Sequence, residues 1–327
     1  MFLMSPEIFS RRLNAYQELI NLSLLEIVKG LEPNYLYNPI RYVLSGQGKR
    51  LRPALVFVTA DGFGVDENRT LPAAMAVEIL HNFSLVHDDI MDNDDFRHGK
   101  QTVHQRWDIS TAILAGDGIF CLAYDQLNRL DGLTSSYLKI FSNSTIRLCE
   151  GQALDKDFES RQKVSLDEYL EMVSLKTGTL LSLCCKLGGI LGGASDHQIN
   201  SLGEFGLQLG KAFQIQDDIL EIYSNVKDMG KSLGSDILTD KKTFLTIKAA
   251  EMNPSEWYSF KKGLKDYSLI ESRLKMRNYF EIQKILEDAR LALRSLSDDS
   301  LLILNELPKK VQHNLTSFLE FLMQRKN

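Results

Sequence analysis

The residues best suited to chemistry are two acidic segments, Asp88-Asp89-Ile90-Met91-Asp92 and Asp217-Asp218-Ile219-Leu220-Glu221. Each follows an apolar helical stretch and carries two carboxylates four positions apart. On a helix, positions i and i+4 share a face, so Asp88 converges with Asp92 and Asp217 with Glu221. Carboxylates gathered on one apolar wall repel each other unless a hard cation neutralises them. Oxygen-only donors with no His or Cys partner predict Mg²⁺ rather than zinc. Mg²⁺ keeps waters and shares its octahedron with substrate phosphates, so the expected ligand is a diphosphate.

Cations stand near both clusters. Lys49 and Arg52 lie three apart at a predicted helix start, where backbone N–H groups also favour anions. Arg97 and His98 follow the first cluster; Lys231 and Lys241-Lys242 follow the second. Lys176-Thr177-Gly178-Thr179 interrupts an apolar helix with a cation and hydroxyls. Any one of these is an ordinary surface charge. Together they describe a site that receives phosphates from two directions, metal on one side and Lys/Arg on the other. His81 precedes Asp88 by seven residues on the same face and, on the residues alone, reads as a core histidine.

Helices must position these groups. The spacing of Phe9, Leu13, Tyr16, Ile20, Leu24 and Ile27 predicts an amphipathic helix over 6–29. A short apolar segment ends at Gly46-Gln47-Gly48, and Pro53 suits the first turn of the next helix. A long helix is predicted from about Leu71 through the first cluster, stopping near Gly99. Further helices are predicted over 111–130, 135–158, 166–191 and 198–223, and Asp167 after Ser165 suits a helix start. The Gly- and charge-rich stretch 224–242 reads as a loop over the second cluster. Amphipathic helices without a chemical motif follow Thr243.

The 327 residues are 44% hydrophobic and 25% charged, ordinary globular composition. With 7 Pro, no linker and helical periodicity throughout, one all-α domain over 1–327 is expected. A net charge of -5 argues against general nucleic-acid binding. Cys121, Cys149, Cys184 and Cys185 lack metal spacing and read as buried reduced thiols. No secretory signal and no membrane span are expected, which predicts a cytoplasmic protein.

The ordered motifs resemble those of the trans-isoprenyl diphosphate synthases, or polyprenyl synthetase family. They are GKRLRP (48–53), LVHDDIMDNDDFRHGK (85–100), GQ (151–152), KTGTL (176–180), FQIQDDILE (213–221), GKSLGSD (230–236) and DKKT (240–243). The resemblance implies an all-α isoprenoid synthase fold, helices around a deep central cavity, and a homodimer. It implies head-to-tail (1'-4) condensation of isopentenyl diphosphate onto an allylic diphosphate, with Mg²⁺ as cofactor, three ions once substrate is bound. By the same resemblance Asp88, Asp92 and Asp217 bind Mg²⁺, with Asp218 and Glu221 assisting. Arg97, Lys176, Thr177, Gln214, Lys231 and Lys241 match positions that hold the allylic diphosphate. Lys49, Arg52 and His81 match positions that hold isopentenyl diphosphate.

Two residues depart from the family pattern. His98 stands where a second arginine is usual and cannot give a bidentate grip, predicting weaker or pH-sensitive isopentenyl diphosphate binding. The second cluster ends in Glu221 rather than Asp, with little expected loss of metal binding. Phe83 and Ser84 lie five and four residues before Asp88. A large aromatic at the fifth position tends to floor the family's cavity, so a product of fifteen or twenty carbons is expected. Two other readings stay open: a non-catalytic, product-length-modifying subunit, and a class I terpene cyclase. The spacing of FQIQDDILE and the Lys49/Arg52 pair disfavour the cyclase.

Overall fold

A computed structural model describes residues 6–130, 135–224 and 241–324. The architecture is all-α, as expected. Helix α1 (Pro6–Glu26) buries the predicted stripe from Phe9 to Leu24. Helices α2 (Asn34–Leu44) and α3 (Leu51–Gly62) follow, then α4 (Glu67–Met91), which carries the first acidic cluster at its C-terminal end. Helix α4 starts earlier than the apolar pattern suggested, because Asp66 caps it by accepting from the Asn68 and Arg69 amides.

Residues 53–60 of α3 and 73–80 of α4 are buried without interruption. Helices apolar on every side belong in the centre of a domain, and these two form the inner wall. Helices α5 (Val103–Arg106), α6 (Ile109–Leu127) and α7 (Ser135–Ser160) complete the first half.

The predicted helix over 166–191 is interrupted. Helix α8 (Leu166–Val173), opened by a Ser165/Glu168 capping box, runs into a π-helical turn at Ser174–Gly178, and α9 (Thr179–Leu191) continues beyond it. Helix α10 (Asp196–Tyr223) carries the second cluster at its C-terminal end. It spans two hydrophobic clusters, contributing Leu202, Phe205 and Leu209 to one and Ile215, Ile219 and Ile222 to the other. The second cluster is completed by the C-terminal helices, from Phe244–Met252 to Ile285–Leu304.

Two expectations need correction. Helix α4 does not run to Gly99. It ends at Met91, with Asp92 as its cap, and the chain then makes a hairpin of strands β1 (Phe96–Arg97) and β2 (Lys100–Gln101). His98 and Gly99 form its two-residue turn at φ 49° and 75°. Such a turn needs left-handed backbone at both positions, which Gly adopts freely and His more readily than most residues. The cysteines are also not all buried: Cys184 and Cys185 are, whereas Cys121 and Cys149 lie on exposed helix faces.

Candidate active site

The last turn of α4 brings Asp88 and Asp92 onto one face, the Asp92 amide donating to the Asp88 carbonyl at 2.8 Å. Burial raises the Asp88 carboxyl above the ordinary carboxylate range. Lys176 and Arg97 draw it down, while Asp92 and Asp155 push it up. Lys156 binds the end of this helix, 3.1 Å from the Met91 carbonyl and 3.4 Å from Asp92 Oδ1. Asp89 points the other way. It is buried and takes the Nε–H of Arg97, whose Nη2 also reaches Asp94 at 3.3 Å. Arg97 is thus anchored beside the cluster by the hairpin that follows it.

The π-helical turn lies between the two clusters. Lys176 Nζ is 2.5 Å from the buried Asp155 Oδ2, and its charge is felt at Asp88. On the neighbouring residue, the Thr177 hydroxyl donates to Gln214 Oε1 at 3.2 Å. Gln214 Nε2 in turn donates to Asp218 Oδ1 at 3.1 Å. The turn is seated by glycines on both sides. A Cβ at Gly151 of α7 would strike the Lys176 backbone, and one at Gly210 of α10 would strike Gly178. One unsatisfied group remains near it: among the described residues, neither polar atom of the buried Gln152 amide has a hydrogen-bond partner.

Within the second cluster the carboxylates differ. Asp218 is buried and accepts from the Tyr169 hydroxyl at 2.5 Å and the Phe244 amide at 2.8 Å, besides Gln214. Asp217 and Glu221 are half-buried. Lys241 is half-buried, its carbonyl accepting from Thr246 Oγ1 at 3.3 Å. Lys231 lies outside the described residues, as does most of the expected loop 224–242.

A second cationic group surrounds His81. Arg52 Nη1 is 3.0 Å from His81 Nε2. Burial, with the charges of Arg52, Arg97, Arg50 and His98, holds the His81 imidazole well below its ordinary value. His81 is therefore neutral near pH 7 and accepts from Arg52 through Nε2. Lys49 and His98 are exposed. Between Lys49 and Arg52, the chain turns Arg50 inward at φ 49°, where Nη1 meets Glu78 Oε1 at 2.5 Å and both side chains are 4% exposed. Phe83 stacks obliquely on Phe120 of α6 at 5.0 Å, and Ser84 Oγ donates to the His81 carbonyl at 2.8 Å.

Arg97 and Lys176 thus stand at the first cluster, Thr177 and Gln214 at the second, and Arg52 at His81, whereas Lys49 and His98 are exposed. Asp155, Tyr169, Lys156, the Arg50–Glu78 pair and the pairing of Asp89 with Arg97 escaped sequence reading. Asp155 had a signal, since it lies four residues after Gly151 and so shares its helix face. Among the described residues, no three His, Cys, Asp or Glu side chains are arranged to hold an ion by themselves.

The polyprenyl synthetase family model matches residues 33–274. The chain belongs to the polyprenyl synthetase family. It is 42% identical over 235 residues to the geranylgeranyl diphosphate synthase of Methanosarcina mazei, covering 71% of this chain and 72% of the relative. It is 40% identical over 261 residues to the geranylgeranyl pyrophosphate synthase of Geoglobus acetivorans, covering 79% and 81%. The crystal structure of geranylgeranyl pyrophosphate synthetase from Pyrococcus horikoshii superposes with a TM-score of 0.89 at 33% identity, covering 98% of each chain. The all-α fold of this family member is accordingly the isoprenoid synthase fold. Among the described residues, no helix is long and apolar enough to cross a membrane.

Proposed function

We propose that the chain is a Mg²⁺-dependent trans-prenyltransferase that joins isopentenyl diphosphate head-to-tail to allylic diphosphates, giving a short all-trans prenyl diphosphate. The observation that carries this reading is the π-helical turn shared by the two acidic helices: Lys176 faces Asp155 and Asp88, while Thr177 reaches Asp218 through Gln214. One diphosphate thereby meets carboxylate-bound metal and a cation together.

In this reading Asp88, Asp92, Asp217 and Glu221 hold Mg²⁺, and Asp218 supports Asp217 from behind. Mg²⁺ supplies charge neutralisation for the departing diphosphate. Arg97, Lys176, Thr177, Gln214, Lys231 and Lys241 bind and orient the allylic diphosphate. Lys49, Arg52, His81 and His98 hold isopentenyl diphosphate with its alkene toward the allylic carbon. No strong side-chain base is required, since the leaving diphosphate can take the proton.

Phe83, backed by Phe120, floors the product chain at fifteen or twenty carbons. The relatives' names support twenty. Exposed Ile113 and Leu114 on α6 and Ile146 on α7 support a homodimer. The continuity of α10 through both hydrophobic clusters supports one domain, and the two buried thiols are compatible with the cytoplasm.

The test is a product assay with labelled isopentenyl diphosphate, each allylic primer and Mg²⁺, repeated with chelator. Expected are prenyl alcohols of twenty carbons or fewer after dephosphorylation, lost with chelator. No condensation with any primer would overturn the reading in favour of a non-catalytic subunit.

A further inference from the structure

Helix α1 lies outside the family match, which begins at residue 33, and none of its residues has been given a role. Two of its polar side chains nevertheless reach the segment that carries Lys49. Gln17 Nε2 donates to the Gly48 carbonyl at 2.7 Å, and Asn21 Oδ1 accepts from Arg50 Nε at 2.8 Å. These residues are four apart, so they present one polar edge of α1 to the segment. From the opposite side, Glu78 of α4 holds Arg50 Nη1, while Arg50 Nη2 donates to the Gly46 carbonyl. Lys49 is therefore the exposed residue between two braced neighbours, Gly48 and Arg50.

Helix α1 does not need Gln17 or Asn21 for its own seating. Tyr16 stacks on Phe57 at 4.6 Å, Arg12 pairs with Asp61 at 2.8 Å, and Phe9 packs against Phe318 and Phe321. Ile20 and Leu24 are fully buried. The two amide side chains are surplus to docking and engage the 48–50 segment instead, Gln17 through the Gly48 carbonyl and Asn21 through the Arg50 guanidinium. A lysine grips a phosphate well only when its backbone is already fixed, because an unfixed one loses conformational freedom on binding.

We propose that Gln17 and Asn21 are positioning residues for isopentenyl diphosphate, bracing the 46–50 segment so that Lys49 is preset for its diphosphate. This rests on the functional reading above. The allylic residues Arg97, Lys176, Thr177 and Gln214 lie on neither α1 nor the 46–50 segment.

The test compares the wild-type chain with Gln17→Ala/Asn21→Ala in steady-state kinetics and in calorimetric binding of isopentenyl diphosphate alone, which without an allylic partner has nothing to condense with. The KM and Kd on the isopentenyl side rise roughly five- to tenfold, while kcat and the KM for the allylic primer stay within about twofold. Adding the double substitution to Lys49→Ala produces no further rise, since both act through Lys49. Equal rises for both substrates, no rise, or full additivity with Lys49→Ala would overturn the proposal. Gln17→Met, which keeps volume and removes the donor, repeats the comparison if the double variant fails to fold. Absence of condensation by the wild-type chain would instead sink the functional reading.

Discussion

The Tyr169 hydroxyl and Asp218 Oδ2 lie 2.5 Å apart, both side chains buried, joining α8 to the second acidic helix. Burial first, and then the Asp218 charge, pushes the Tyr169 phenol well above its ordinary value, so it remains a donor throughout the working range. The Phe244 amide and Gln214 occupy further lone pairs of the same carboxylate. Tyr169→Phe keeps the ring but removes one of these donors. It should lower unfolding free energy by about 1.5–3 kcal/mol, the usual worth of a bond to a charged group. Urea denaturation checks the loss; an unchanged midpoint would mean that water replaces the hydroxyl.

Phe83, Phe120, Tyr124 and Phe141 form a row of ring contacts between 5.0 and 5.2 Å. Phe83→Ala should lengthen the product by at least one five-carbon unit. Phe83→Ala/Phe120→Ala should lengthen it further, because Phe120 stands next in the row. Chromatography of dephosphorylated products reads the outcome, and an unaltered length distribution would show that the floor lies elsewhere.

His81 gives a pH dependence with a definite sign. Its imidazole refuses a proton in the folded state at pH values where the unfolded chain, with its ordinary value near 6.5, accepts one. Stability contributed by this residue is therefore level above that value and falls as pH drops below it, by at most about 1.4 kcal/mol per pH unit. His81→Gln should flatten that slope between pH 5 and 6.5, measured as denaturation midpoints against pH. A slope identical to wild type would assign the acid sensitivity to other groups.

His98→Arg should strengthen the isopentenyl site, since a guanidinium offers a paired grip and a permanent charge. The position sits in left-handed backbone, so the gain comes with a stability loss below about 1 kcal/mol. A several-fold fall in the KM for isopentenyl diphosphate is expected, with little change in the allylic KM. No fall would show that the histidine already suffices.

What was legible from the residues were features repeated within one helix. The α1 stripe and the paired acids at the ends of α4 and α10 follow from i, i+3 and i+4 spacing. What escaped involves partners far apart in sequence, such as Lys176 with Asp155, Arg50 with Glu78 and Tyr169 with Asp218. Only folding chooses which of several candidate acids each cation meets. The hairpin at His98-Gly99 was hidden because its turn depends on backbone handedness rather than on polarity. The exposure of Cys121 and Cys149 was hidden because apolar neighbours along a helix do not reveal which way one residue faces.

Backbone meets backbone on both flanks of the Ser174–Gly178 turn, through Gly151 on one side and Gly210 on the other. Contacts of that kind have no rotamers to adjust, so the spacing from α7 across the turn to α10 is rigid. The row of rings behind Phe83, by contrast, is side chain throughout and can be trimmed one ring at a time. On the proposed reading, the reacting end keeps a fixed calibre while the length of the product stays open to small edits.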